Sequence, residues 1–578
     1  MRGDPQNGGT FLYRVVYRGV PTEKKSRRAK NRQAGKDRES LLRGSPLWAR
    51  GTGRQGQVKE TFYITTPIYY VNDVPHIGHA YTTIACDALA RWHRMKGQRV
   101  FFLTGTDEHG EKVNKSATQQ GISPKELADR VVTRFQGLSP ALAISNDGFI
   151  RTSEPRHYAS VQDIFRKSLA NGDIYPGTYE GWYCTPCESY WTDLQLIDGS
   201  CPDCRRPAEK RKEPSYFFRL SKFQKPLLAF YARNPKFIRP ESRRNEVIAF
   251  VEGGLTDLSV SRTSLAWGIP VPGVEGHVIY VWYDALTNYL TGLGYPERTE
   301  AFSAFWPADI HMVGKDILRF HAIYWPAFLL SAGIAPPLGI FAHGWWTVEG
   351  QKMSKSLGNV VDPYEMVEKY GADAFRYFLL REVPFGKDGD FSRKALVDRI
   401  NSDLANNLGN LLNRSLNMLG KYFGSVVPSP SAPEPSDDRL TGASREILPA
   451  ADAAMEDVEF HKVLAAIQSL SDTANKYIDT NTPWSLAKDP AKKNRLGTVL
   501  YNALEAARVC VLLISPFTPT AGQRMWEALG CDGRVEQATL SEAGLWGTLR
   551  IGAALPRSVI AFPRIEEERE GHSREGRR

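Results

Sequence analysis

Two histidines and two lysines stand in settings that could handle a nucleoside triphosphate. Pro75-His76-Ile77-Gly78-His79 sets two imidazoles three residues apart, so on a helix they share a face. A helix start adds free N–H groups and a partial positive charge, which suits anions. Gly78 leaves the backbone open to close approach by a flat base. Much later, Gly350-Gln351-Lys352-Met353-Ser354-Lys355-Ser356-Leu357-Gly358 places two lysines and two serines between glycines. That is a mobile loop of cations and hydroxyls, suited to clamping a leaving pyrophosphate and then releasing it. Taken alone, either string is weak, since paired surface histidines and basic turns are common. Together they suit the stabilisation of charge that grows on phosphate oxygens in a transition state.

A second chemistry-bearing group is made of sulfur. Cys184-Thr185-Pro186-Cys187 and Cys201-Pro202-Asp203-Cys204 are two CxxC knuckles with 13 residues between them. Four thiolates on paired turns match one tetrahedral Zn²⁺, closed and therefore structural. Cys86, Cys510 and Cys531 are scattered. This is not a secreted disulfide framework, and it points to a reducing, cytoplasmic setting.

The elements that must position these groups follow from periodicity. Residues 62–66 read as a buried strand stopped by Pro67, and 77–96 as a helix with Ile84, Ala88 and Trp92 at helical spacing. Residues 99–103 read as a second strand, which completes a parallel βαβ unit. Ligands of such sheets sit beyond the carboxyl ends of the strands. His76, His79 and the loop Thr106-Asp107-Glu108-His109-Gly110 all lie there. Residues 175–215 read as an insertion of little periodicity. Apolar strands at 277–282, 310–313 and 340–344 are expected to complete the sheet. After residue 396 the chain becomes helical, with Leu404, Leu408, Leu411, Leu412, Leu416 and Leu419 on one stripe. A Ser/Pro-rich loop follows at 427–433, then helices at 458–478 and 497–514. The expected fold is thus a Rossmann-type α/β parallel sheet with a zinc-bearing connective insertion, followed by an α-helical bundle.

With 578 residues, of which 42% are hydrophobic and 24% charged, the chain has the size and composition of several globular domains. No uninterrupted apolar run reaches the length of about 18 residues that marks a membrane span. The nearest, 325–346, is broken by Pro326, Pro336 and Pro337 and reads as buried strand and loop. The net charge of +10 is local. Residues 1–58 hold 14 Lys/Arg against 4 Asp/Glu, which leaves 60 basic and 60 acidic groups in the rest. That tail lacks apolar periodicity and is expected to be disordered. The alternatives are a nucleic-acid-attracting arm, a transit peptide, against which four acids count, and an over-extended gene start, which is preferred and, since no Met lies between Met1 and Met95, would place true initiation at a non-Met codon near Val58.

From about residue 62 to 516 the chain resembles the methionyl branch of the class I aminoacyl-tRNA synthetases. Beyond the histidine and lysine strings, the resemblance rests on Thr66-Pro67-Ile68-Tyr69-Tyr70-Val71-Asn72, the Asp107 loop, Val281-Trp282-Tyr283-Asp284-Ala285-Leu286, Gly314-Lys315-Asp316-Ile317, Phe320-His321 and Tyr324-Trp325-Pro326. It implies His76, His79, Lys352 and Lys355 as catalytic groups. Gly78, Lys315, Asp316 and Ser354 join the two lysines in binding ATP with Mg²⁺. It implies a methionine pocket walled by Ile68, Trp282, Ala285, Tyr289, Phe320 and Trp325. Tyr70 and His321 would donate towards the sulfur, and Asp107 would anchor the ammonium. An aromatic pocket with one or two donors also suits a flexible thioether. Asn410, Arg414 and Trp484 resemble the residues that read a CAU anticodon of tRNA(Met). The implied layout is catalytic halves at 59–173 and 276–345, the insertion at 174–275, a lysine-loop region at 346–395, the anticodon bundle at 396–565 and a charged tail at 566–578. The additional C-terminal tRNA-binding domain of many relatives is not recognisable, which favours a monomer. Two competitors are a cysteinyl-type synthetase, against which four Cys ligands argue, and a non-catalytic zinc-bearing tRNA-binding protein, which has no use for both phosphate strings.

Overall fold

The computed structural model describes residues 60–566 except 192, 298 and 354–357. The basic segment 1–58, the end 567–578 and the centre of the lysine loop lie outside the described residues.

Strands β1 (Thr61–Thr65), β2 (Tyr69–Tyr70), β3 (Arg99–Asp107), β4 (Gly148–Arg151), β5 (Ile238–Arg239), β6 (Ile310–Gly314) and β7 (Ile340–His343) form one seven-stranded sheet. Every pairing in it is parallel. β1 is Thr-Phe-Tyr-Ile-Thr, rich in the β-branched and aromatic types that suit a strand covered on both faces. It aligns with β3 from Thr61 opposite Arg99 to Thr65 opposite Leu103. On its other side Ile64 faces Ile310 of β6. The winding direction reverses between β1 and β6, and that gap is where such sheets hold ligands.

β3 runs four residues further than its sequence suggests. Gly105 reads as a loop residue, yet it is a close-approach site. A Cβ there would lie 2.1 Å from the Ile150 carbonyl of β4, so only glycine lets the two backbones pair. The longer strand carries Asp107 into the sheet, opposite Tyr70 of β2.

Two other expectations need correction. In the stretch 277–282 only Val278–Ile279 is a strand, and it pairs antiparallel with Ser261–Arg262 outside the main sheet. Val281–Leu286 is a helix. The segment 325–346 begins not as strand but as helix Trp325–Ala332, with Pro326 in its first turn and Gly333 at φ 72° closing it. Both helices are buried on nearly every side, so no polar face marks a helical period. The insertion has more order than its composition suggests: Ile174–Cys184 pairs antiparallel with Glu209–Phe218 over ten registered positions. β5 falls inside the 174–275 stretch but pairs with β7 at the edge of the main sheet.

Helix α1 (Ile77–Met95) follows β2. The helical part contains α2 (Asn410–Phe423), α3 (Phe460–Asn481) and α4 (Lys493–Ile514). By length and composition α4 could cross a membrane, but the apolar window is wholly buried in the bundle. Its polar residues are paired there, as in the Glu505–Arg508 bridge at 2.8 Å. The far half of α1 docks on the same bundle. Trp92 Nε1 donates to Asp452 at 3.0 Å, and buried Asp87 meets buried Arg376 at 2.7 Å. Arg376 donates onward to the carbonyls of Leu142, Pro516 and Phe517.

Candidate active site

His76 caps α1 from an extended backbone, and its Nδ1 accepts the Gly78 N–H at 3.0 Å. His79 Nδ1 accepts the His76 N–H at 3.1 Å. The rings stack at 3.9 Å, and His79 packs edge-on against Tyr69 at 4.6 Å. A Cβ on residue 78 would meet the His76 ring at 2.9 Å. Gly78 is therefore needed by the cap itself, a reason its sequence setting did not reveal. Burial holds both imidazoles below the ordinary histidine range, His79 well below it, while Asp73 and Asp316 pull His76 the other way. Each neutral ring keeps Nδ1 as acceptor, so its proton sits on Nε2, ready to donate.

The lysine loop is tied beside this helix start. Gln351–Lys352 pairs antiparallel with Trp346–Val348, which in turn pairs with Gly389–Phe391. Trp346 packs on Tyr81 of α1 at 5.6 Å. Past the loop, Val361 accepts the N–H of Ile77 at 3.0 Å. Both stems of the loop thus touch α1 within its first turns; Ser354 and Lys355 themselves lie outside the described residues. Beyond β6, Lys315 Nζ sits 2.6 Å from Asp388 and 4.3 Å from the Trp345 ring. Trp345 Nε1 donates to Asp316 at 3.1 Å.

A ring of aromatics lies next to these groups. Trp282 and Phe320 stack in parallel at 3.8 Å, with Ala285 one turn along from Trp282. Tyr289 stacks on His311 at 4.0 Å and lies 6.1 Å from Trp325. Half-buried Ile68 follows Pro67 between β1 and β2. Three buried polar atoms here have no hydrogen-bond partner: Tyr70 Oη, Asp107 Oδ1 and Trp282 Nε1. Orphaned polar atoms are costly unless a ligand completes them. Burial, then Asp284 and Glu188, pushes the Asp107 carboxyl well above the usual range. His321 is not a free donor in this arrangement. Its Nδ1–H donates to the Ile317 carbonyl at 2.9 Å, which leaves Nε2 to accept from Tyr289 Oη at 2.7 Å.

Residues given no individual role from the sequence complete the surroundings. Asp284, fully buried, bridges His109 and His157. Arg262 is buried with its guanidinium 4.2 Å from the Tyr190 ring and 4.6 Å from that of Tyr280. Glu188, directly after Cys187, accepts the Lys112 N–H at 3.0 Å and hydrogen-bonds Tyr183. A charged residue inside an otherwise apolar run, as Asp284 is, was the available signal.

The four cysteines of the two knuckles converge, with all Sγ atoms within 4.8 Å of one another. In the bundle, Asn410 Nδ2 donates to Asn475 at 3.3 Å, and Arg414 meets Asp479 at 2.5 Å. The Arg414 guanidinium lies 5.4 Å from the ring of Trp484. Trp484 is 42% exposed. Asn410 and Arg414 line an open polar groove of about 500 Å³.

A parallel sheet that reverses at β1/β6, a histidine-capped helix at that gap and a lysine loop tied to the same helix define a class I aminoacyl-tRNA synthetase core. A family model described as tRNA synthetases class I (M) matches residues 62–213 and 205–416, and one for the anticodon binding domain of methionyl tRNA ligase matches 427–575. The chain belongs to the methionyl-tRNA synthetases, ligases that join methionine to tRNA by way of methionyl-adenylate. It is 54% identical to the methionine–tRNA ligase of Caldanaerobacter subterraneus over 514 residues, which cover 89% of this chain and 80% of that protein. The Rickettsia felis ligase is 49% identical, with 88% of this chain and 99% of that protein covered. Among solved structures, Mycobacterium tuberculosis methionyl-tRNA synthetase in complex with methionyl-adenylate superposes with TM-score 0.85 at 47% identity, covering 87% of this chain and 100% of that one.

Proposed function

We propose that His76, His79, Lys352 and Lys355 carry the activation step. The carboxylate of methionine attacks the α-phosphorus of ATP, pyrophosphate leaves, and the adenylate carbonyl is then attacked by the 3′-terminal ribose hydroxyl of tRNA. The chemistry needs positioning and charge neutralisation rather than a protein nucleophile. The two Nε2–H groups donate to phosphate oxygens as negative charge builds, and the lysines hold the departing pyrophosphate. The observation that carries this assignment is the Ile77 N–H to Val361 carbonyl bond, which ties the lysine loop to the histidine helix. Gly78, Lys315, Asp316 and Ser354 complete the ATP site, and ATP enters as its Mg²⁺ complex. Asp107 takes the ammonium of methionine, Tyr70 donates towards its sulfur, and Ile68, Trp282, Ala285, Tyr289, Phe320 and Trp325 enclose the side chain. His321 acts through Tyr289.

The cysteine cluster fits zinc. Sγ separations of 3.5 Å for Cys184–Cys204 and 3.9 Å for Cys187–Cys201 bracket the edge of about 3.8 Å expected for a tetrahedron with Zn–S near 2.3 Å. Bound there, zinc supplies structure and no open position for substrate. Asn410, Arg414 and Trp484 read the CAU anticodon, Asn410 by hydrogen bonds to a base edge, Arg414 by stacking or phosphate contact and Trp484 by stacking. The catalytic parts are residues 59–173 and 276–345 together with the lysine-loop region 346–395, the bundle at 396–565 selects the tRNA, and the enzyme works as a cytoplasmic monomer.

The direct test is Lys355→Ala. Methionine binding should persist while methionine-dependent ATP–pyrophosphate exchange falls by roughly 10² or more, the usual scale for losing one charge-stabilising donor. Exchange at the unmodified rate would remove Lys355 from the mechanism.

A further inference from the structure

We propose that Asp284 is a positioning residue for the amino-acid substrate, one that with His109 and His157 fixes the spacing between the two walls of the methionine pocket. The proposal rests on the pocket assignment above and extends it to residues that touch no substrate.

The geometry is specific. Asp284 is fully buried. Its Oδ2 lies 2.7 Å from His109 Nδ1 and its Oδ1 lies 2.7 Å from His157 Nε2. A carboxylate only accepts, so each imidazole donates through the named nitrogen. The far nitrogens are held as well: His109 Nε2 lies 3.2 Å from the Tyr158 hydroxyl, and His157 Nδ1 lies 2.9 Å from that of Thr291. Three separate elements meet at this one group. His109 stands two residues beyond Asp107, at the end of β3. Asp284 belongs to the short helix Val281–Leu286 that also carries Trp282 and Ala285. His157 lies in helix Pro155–Ala170.

A buried carboxylate is a poor choice for stability alone, because a well-packed apolar residue of the same size often serves folding equally well. What the carboxylate adds is direction. Bonds at both oxygens stop the Trp282 helix from sliding or turning against the Asp107 strand. The unpartnered atoms sit on these same two elements, Asp107 Oδ1 on one and Trp282 Nε1 on the other. Substrate placement is sensitive to such spacing, since a shift near 1 Å can cost about 10² in rate.

The test uses pyrophosphate exchange with methionine and ATP varied separately, on the zinc-replete full chain. Asp284→Asn and His109→Leu should raise the methionine KM tenfold or more, with the ATP KM within about twofold of the parent. His109→Asn keeps an N–H near the place of Nδ1 and should restore the methionine KM to within about threefold. Equal methionine KM values for His109→Leu and His109→Asn, or a joint rise of both KM values, would overturn the proposal and leave the cluster as packing. Should Asp284→Asn fail to accumulate, the His109 pair decides alone. Asp107→Asn is the reference. If it leaves the methionine KM unchanged, the pocket assignment falls; if it raises that KM while the Asp284 and His109 variants do not, only the positioning role falls.

Discussion

Asp107, proposed to take the ammonium of methionine, is the residue through which substrate binding should exchange protons. Its carboxyl is buried, has no partner at Oδ1, and faces the negative field of Asp284 and Glu188, so it is held well above the usual carboxylate range. An arriving ammonium group reverses that field and favours the charged form. Methionine binding should therefore release protons, most clearly at pH values where the free carboxyl is still protonated. Calorimetric titrations in buffers of different ionisation enthalpy read this directly, and the release should vanish in Asp107→Asn together with at least tenfold of the affinity. Binding with no net proton exchange in the parent enzyme would contradict the assignment. His321 titrates in the opposite sense. Burial lowers it to about 4, so the folded state keeps it neutral while the unfolded chain takes up a proton near pH 6.5. The stability tied to this group is fully present above pH 6.5 and is lost as pH falls towards 4. Over that span it amounts to about 3 kcal/mol. Urea unfolding of His321→Asn should show a flatter pH dependence between those limits by about that amount. Identical slopes for variant and parent would show that His321 is not held neutral in the folded enzyme.

Among the elements, α1 and the cysteine knuckle bear most on function. α1, about 28 Å long over its 19 residues, presents His76 and His79 at one end and Trp92 near the other. The knuckle reaches the pocket through Glu188, whose carboxylate holds the Lys112 amide and whose carbonyl accepts from Tyr280. Chelation of the zinc proposed for this cluster, or Cys201→Ser, should loosen the paired strands Ile174–Cys184 and Glu209–Phe218 and raise the methionine KM through the lost Glu188 anchor. Hydrogen exchange would report the first effect. Unchanged protection across 174–218 would mean that the hairpin folds without metal. How far such elements were legible depends on how many of their faces meet solvent. α1 was readable because His76, Gly78 and the apolar positions Ile84, Ala88 and Trp92 carry distinct signals, and β1 because Pro67 punctuates a β-branched run. The helices at 281–286 and 325–332 were not, because burial all round erases the period that separates helix from strand. The motif strings could be recognised in the sequence and given roles by the resemblance, but the contact of Asp284 with His157 spans 127 residues, and no local pattern encodes it. Gly105 misled for a different reason: its freedom served a close strand approach rather than a turn.

Across the whole molecule, one continuous core joins catalytic and helical parts, running from Phe62 and Ile77 through Phe378 to Leu411 and Val499. The joint is polar as well as apolar, since Asp87 of α1 is held by Arg376, which is itself held by the carbonyls at 516 and 517. If the groove binds tRNA as proposed, a joint packed in this way would let binding energy gathered there fix the tRNA relative to the adenylate without altering the adenylate site. The two steps of the reaction should then separate by mutation. Among the described residues, Arg414 pairs with Asp479 and lies by the ring of Trp484, with no ion pair or ring contact to the catalytic sheet. Arg414→Ala should leave methionine-dependent pyrophosphate exchange unchanged in kcat and in both substrate KM values. Its aminoacylation KM for tRNA should rise by about 5- to 150-fold, corresponding to the roughly 1–3 kcal/mol that one base-stacking or base-edge contact contributes. Parallel loss of both activities would mean that Arg414 supports the bundle's folding, and an unchanged tRNA KM would move anticodon recognition away from this groove.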